Sequence, residues 1–123
     1  MQYLLLIHGD ENEWRDRSDE EHRAVVAEYL ALTEAMRERG AYVASNRLAP
    51  TSAASTVRVR DGEEVVTDGP FAETTEQLGG YYLIEAETID EALDWAGRIP
   101  TARRGSVEVR PIQPVTVTAG EGR

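Results

Sequence analysis

Two stretches of this chain are apolar on both faces of an extended backbone, and no other feature restricts the fold as much. In Gln2–His8, Tyr3, Leu5 and Ile7 alternate with Leu4, Leu6 and His8; Gly80–Ala86 repeats the pattern through Tyr81, Tyr82, Leu83 and Ile84. A strand with one wet face alternates apolar and polar residues, so these two belong to a sheet covered on both sides. Each face needs a cover.

One cover is helical. Ser18 followed by Glu21 reads as a capping box, opening a helix that runs to Gly40. Its inner stripe is Val25, Val26, Tyr29, Leu32, Thr33 and Met36, with His22 one turn before Val26. Thr88 and Glu91 repeat the box for a helix through about Arg98, with Ala92, Leu93, Trp95, Ala96 and Ile99 inward and Pro100 as its stop. Ala41–Leu48 and Ser106–Pro111 read as two more strands, and Asp61-Gly62 between Ser55–Arg60 and Glu64–Thr67 is a hairpin turn. Trp14, in an acidic loop, is expected to be a lid or a packing anchor over a sheet edge. Val115–Thr118 would add an edge strand and Gly120–Arg123 a frayed tail, which gives a domain over 1–114 and an appendage over 115–123.

Without the hairpin, the order is strand–helix–strand, twice. Right-handed crossovers turn that order into a ferredoxin-like α+β sheet with both helices on one face. Two helices leave Leu4, Leu6 and Leu83 uncovered on the other face, and such a patch marks a partner site. The simplest partner is a second copy, sheet to sheet, under two-fold symmetry.

Composition removes several functions. The net charge is −10, with seven acids in Asp10–Glu21 against Arg15 and Arg17. That balance argues against nucleic-acid contact, which needs a basic footprint. The chain has no cysteine, which excludes disulfides, thiol nucleophiles and thiolate metal sites. No histidine or glutamate pair has zinc spacing, and there is no phosphate loop, Rossmann fingerprint or nucleophile elbow. Neither a metal nor a cofactor is expected. A strand starting beside Met1, with no charged leader and no long apolar segment, predicts a cytoplasmic protein off the membrane.

The candidate chemistry gathers at Val65–Ile84, where a Gly/Pro bend joins two strands. Pro70 forbids continuation of the ladder, Phe71 is expected to plug the core, and Asp68 is left at the rim. Asp68 is a candidate general base, or else a turn residue bonded to its own backbone. His8 and His22 are the only imidazoles; His8 shares the face of Leu4 and Leu6. Arg58 offers a fork of donors to an anionic ligand. Whichever of Tyr81 and Tyr82 faces a cleft could donate its hydroxyl. Glu73 and Glu76 add oxygens without calcium-loop spacing, and Glu76 is expected to bond locally or to help hold a ligand.

Thr56–Gly62, the Asp68-Gly69-Pro70-Phe71 run with its flanks, and Gly105–Pro111 resemble the DGPF group of the YCII-related proteins over about residues 2–113. The resemblance implies a dimeric α/β barrel without a well-defined reaction. In relatives nearer the founding type it implies a helix histidine paired with an aspartate, and that histidine's position falls on Tyr29 here. Gene neighbours and fusions among DGPF relatives also imply a link to extracytoplasmic-function sigma factors. Two functions stay open. One is a cofactor-free acid–base enzyme in the dimer cleft, with Asp68 and His8 moving protons and Arg58, Tyr81 and Glu76 holding a small anion. The other is a binding module for a small acid or a regulatory partner.

Overall fold

The two doubly apolar stretches become neighbouring strands at the centre of one sheet in the computed structural model, which describes residues 1–116. β1 (Gln2–Gly9) pairs antiparallel with β5 (Gln77–Glu85), Leu4 opposite Leu83 and Leu6 opposite Tyr81. β2 (Tyr42–Arg47) and β6 (Ser106–Pro111) flank them in the order β2-β5-β1-β6, every pairing antiparallel. β1 and β2 therefore run parallel with β5 between them, and β5 and β6 run parallel with β1 between them. The α+β class expected from the sequence is the class adopted.

The hairpin forms its own two-stranded sheet, β3 (Ser55–Arg60) against β4 (Glu63–Asp68). Asp61 and Gly62 both have positive φ, 52° and 78°, the requirement of the tight turn whose twist matches paired strands. Gly69 lies at φ 98° ahead of Pro70, a conformation that side chains rarely adopt.

Three helices follow from local signals. α1 (Glu11–Asp16) corrects the reading of this acidic stretch as a loop. Asp10 caps it, accepting from the Asn12 N–H at 2.9 Å, and Glu11 and Glu13 suit the positive end of the dipole. α2 (Asp19–Glu38) has both halves of its capping box: the Ser18 hydroxyl accepts from the Glu21 N–H at 3.1 Å, and Glu21 accepts from the Ser18 N–H at 3.0 Å. α3 (Ile89–Gly97) has only half. Thr88 accepts from the Glu91 N–H at 3.2 Å, but the Glu91 carboxylate takes the Glu87 N–H instead of that of Thr88.

Tyr3, Leu5 and Ile7 of β1 and Tyr82 and Ile84 of β5 meet Leu32 and Met36 of α2 and Ala92, Trp95 and Ala96 of α3 in the core, with Ile99 fully buried. Their sequence neighbours Leu4, Leu6 and Leu83 turn the other way and stay partly accessible. No helix among the described residues is long and apolar enough to cross a membrane.

Other expectations need correction. Phe71 is 79% exposed and plugs nothing in its own chain, because the bend that carries it hangs from the hairpin rather than lying over the sheet. Val26 and Leu93, expected inward, are exposed; Val26 borders a cleft, and Leu93 is one residue around the helix from Ala92, past the edge of its buried face. Val115 and Thr116 belong to no strand, and Val117 and Thr118, like the expected tail, lie outside the described residues.

Candidate functional site

The buried residues of α2, Leu32 and Met36, sit in its second half. The first half stands off the sheet, and the gap is a cleft of about 970 Å³. The helix contributes His22, Val26, Tyr29, Leu30 and Thr33, residues three or four apart that share one side. Ile7, Gly80 and Tyr82 come from the sheet, while Trp14, the chain after β2, Thr101 and Arg104 enclose the rest.

Hydroxyls hold the helix to the sheet across this gap. Thr33 and Tyr82 bond at 2.8 Å, and Thr33 donates to the Tyr29 carbonyl at 2.9 Å. The Tyr29 hydroxyl meets the Thr101 hydroxyl at 2.6 Å, and the Tyr29 and Tyr82 rings stack 6.5 Å apart. Burial pushes the Tyr29 phenol upward, opposed by its bond to Thr101. Tyr82 is pushed up chiefly by burial too, opposed by Thr33. Both are neutral phenols at physiological pH, suited to hydrogen bonding rather than to proton abstraction.

Trp14 is the hub of the outer wall. Its ring lies 4.5 Å from that of His22, 4.7 Å from the Arg47 guanidinium and 5.5 Å from that of Arg17, in the range of cation–π attraction. The expectation that Trp14 anchors a sheet edge holds, since Arg47 ends the edge strand β2. The Trp14 carbonyl can only accept, so His22 Nε2, 2.5 Å away, carries the proton and Nδ1 is left as the acceptor or second donor. Glu11 clasps α1 in place. Its oxygens accept from the Thr51 N–H at 2.7 Å and the Thr51 hydroxyl at 2.8 Å, and its own N–H donates to Gln77 at 3.0 Å.

The charge around the cleft departs from that of the chain. Arg15, Arg17, Arg47 and Arg104 line it with Asp10, Glu11 and Glu13, and both oxygens of Glu11 are engaged with Thr51. The whole chain has 23 acids against 13 basic residues. The cleft is thus a place where a small anion meets less repulsion than over the rest of the surface.

The residues singled out in the sequence fall in different places. Of these, His22 and Tyr82 line the cleft, while Tyr81 borders it and turns with Leu83 to the open face, its hydroxyl accepting from Asn46 at 2.8 Å. His8 lies on the open face of the sheet, Nε2 3.6 Å from a Glu108 oxygen. Glu76 accepts from the Ser106 hydroxyl at 2.8 Å, the local bond expected of it. Asp68 is exposed at the end of β4, and Arg58 donates to the Phe71 carbonyl at 3.3 Å. Hairpin, open face and cleft are not brought together within one chain. Among the described residues no three of His, Cys, Asp and Glu converge as a metal site would require. Sequence reading passed over Arg17, Arg47, Thr101 and Arg104, and gave Trp14 no part in a site. One signal was available: Tyr29 and Thr33 put two hydroxyls on the inner stripe of α2, where a closed core would have none.

The structure is thus that of a small α+β protein with an aromatic, arginine-lined cleft beside a long helix. Sequence comparison places it more narrowly. The chain belongs to the YCII-related domain family, whose model matches residues 1–116. It is 44% identical over 114 residues to an uncharacterized protein of Rhizobium meliloti (strain 1021), covering 91% of this chain and 92% of that one.

Proposed function

We propose that this protein binds a small organic anion in the cleft between α2 and the sheet, and that it does so as a homodimer closed through the open sheet faces. The observation that carries the reading is the cleft itself: arginines beside aromatic rings, in an otherwise acidic chain. Its volume is at the upper end of ligand pockets, roughly 300–1,000 Å³. A flat apolar body would lie against Trp14, Tyr29 and Tyr82, with Arg47 or Arg104 taking the carboxylate. The strand order and the crossover helices support a ferredoxin-like sheet. The partly accessible Leu4, Leu6 and Leu83 support its pairing with a second copy as a dimeric barrel.

A second reading rests on His8 beside Glu108 on the open face. In a dimer this pair would lie at the seam, and there Asp68, Arg58, Tyr81 and Glu76 could complete an acid–base site for the same class of anion.

Calorimetric titration with small aromatic and aliphatic carboxylates, each beside its neutral amide, tests both readings. The cleft reading expects carboxylates to bind at least about tenfold more tightly than amides, with Arg47→Gln and Arg104→Gln each weakening them about tenfold. Equal affinity for amides, or no loss in either variant, overturns it. Loss in His8→Gln and Asp68→Asn, with the cleft arginine variants unaffected, selects the seam instead.

A further inference from the structure

A second, smaller pocket of about 30 Å³ lies between the N-terminal half of α2 and the turn Pro100–Arg103. Val25 and Pro100 form its apolar wall, and Arg17, Thr101, Arg103 and Arg104 form the rest. Arg17, Thr101 and Arg104 also line the cleft, so the two spaces meet along those residues. Three guanidiniums and no acid line one small pocket, in a chain whose net charge is −10. Like charges held this close repel unless an anion joins them. Arg103 has its anion in Glu28, at 2.8 Å. Arg17 and Arg104 pair with no acid among the described residues. The Glu21 carboxyl, lowered first by its bonds to Ser18 and only then by these two arginines, accepts from the Ser18 N–H at 3.0 Å and bonds to neither.

We infer that this pocket seats the phosphate of a phosphate monoester whose planar organic body lies in the cleft; the inference rests on the anion-binding cleft proposed above and names its anionic group. Size fits. A water-sized group takes about 10–15 Å³, so a pocket of about 30 Å³ accommodates two or three of them, the terminal oxygens of one phosphoryl group. Charge decides between anions. A phosphate monoester carries about −1.5 to −2 at pH 7, which matches the two guanidiniums that Glu28 leaves without an acid. A carboxylate, with one charge, would leave one of them uncompensated. Arginine forks also match phosphate oxygens in pairs. Thr101 adds a donor. Its hydroxyl meets that of Tyr29 at 2.6 Å, and with the phenol donating, the Thr101 proton is left for a phosphate oxygen. Arg17 links the two spaces, since its guanidinium lies 5.5 Å from the Trp14 ring in the cleft wall while also lining the pocket.

Phenyl phosphate, benzoate and inorganic phosphate, each titrated into the full chain by calorimetry, test the assignment. Phenyl phosphate is expected to bind at least about tenfold more tightly than either of the others. Arg103 borders the pocket and not the cleft, and its pair with Glu28 is exposed on both sides, so Arg103→Gln should leave the fold intact. It should weaken phenyl phosphate about tenfold and leave benzoate unchanged. Equal binding of phenyl phosphate and benzoate, or an Arg103→Gln chain that holds phenyl phosphate as tightly as wild type, overturns the phosphate pocket. Benzoate binding that still depends on Arg47 then leaves the cleft reading standing. Inorganic phosphate that binds as tightly as phenyl phosphate reduces the pocket to a site for the free anion and overturns the ester. If none of the three binds, both readings fall.

Discussion

Close backbone approach decides individual positions here, and two of the glycines lining the cleft differ sharply. A Cβ on Gly105 would stand 2.2 Å from the His8 carbonyl oxygen and 3.1 Å from the Gly9 Cα, whereas one on Gly79 would meet nothing within 4 Å. Gly105→Ala must push β6 away from β1 and is expected to cost at least about 1–3 kcal/mol, while Gly79→Ala stays within about 0.5 kcal/mol. Urea unfolding of the two variants checks this, and equal midpoints would contradict the packing shown. Of the adjacent pair Gly79-Gly80, the close contact falls on Gly80, where a Cβ would stand 2.8 Å from the Asn46 carbonyl oxygen. Tyr29 was legible, since it takes the position that the family resemblance gives to a histidine and lies in the cleft. Asp68 and Arg58 were conspicuous through the bend around them, and within one chain that bend leads to the hairpin rather than to the cleft.

Elements were readable where the signal is local. The Ser18–Glu21 box spans four residues, and both of its bonds form as the spacing requires. Its electrostatics give a pH dependence. The Glu21 carboxyl is held below its ordinary value, first by the Ser18 backbone N–H and then by the Ser18 hydroxyl. A lowered folded value means stability that is fully present above the unfolded carboxyl's value, near about 4.3. That stability is lost as pH falls through the folded value. Glu21→Gln keeps the acceptor but removes the charge, so it should lower stability at pH 7. The difference from wild type should shrink once the pH is below both values, as denaturant melts at neutral and acid pH would show. A constant difference across that range would mean that the charge adds nothing. Ser18→Ala removes the hydroxyl that accepts from the Glu21 N–H and should cost about 1 kcal/mol at neutral and acid pH alike. The second box shows the limit of local reading. Its Glu91 had a competing donor one residue away, at Glu87, and took it. α1 was missed because acids clustered beyond a strand look the same whether they are solvated coil or a capped helix start.

At the scale of the whole molecule, the proposed dimer rests on the open face of the sheet. Leu83→Glu sets a charge opposite Leu4, at the centre of the proposed seam. It should yield a monomer by sedimentation equilibrium with an unchanged far-ultraviolet spectrum, because Leu83 contributes nothing to the helix-covered core. A wild-type protein that is already monomeric would sink the pairing. By itself the sequence determined the two doubly apolar strands, the long capped helix, the positive-φ hairpin turn and, Val26 and Leu93 apart, the faces of strands and helices that turn inward. Each of these depends on residues within a turn or a few positions of one another. The tertiary structure alone decided the cleft. Trp14, Arg47 and Arg104 come from three separate segments, and they line one space because the first half of α2 stands away from the sheet while Leu32 and Met36 hold its second half down. No short window of sequence encodes that divergence, which arises from how a rigid helix can lean on a twisted sheet once its best-packed residues are seated.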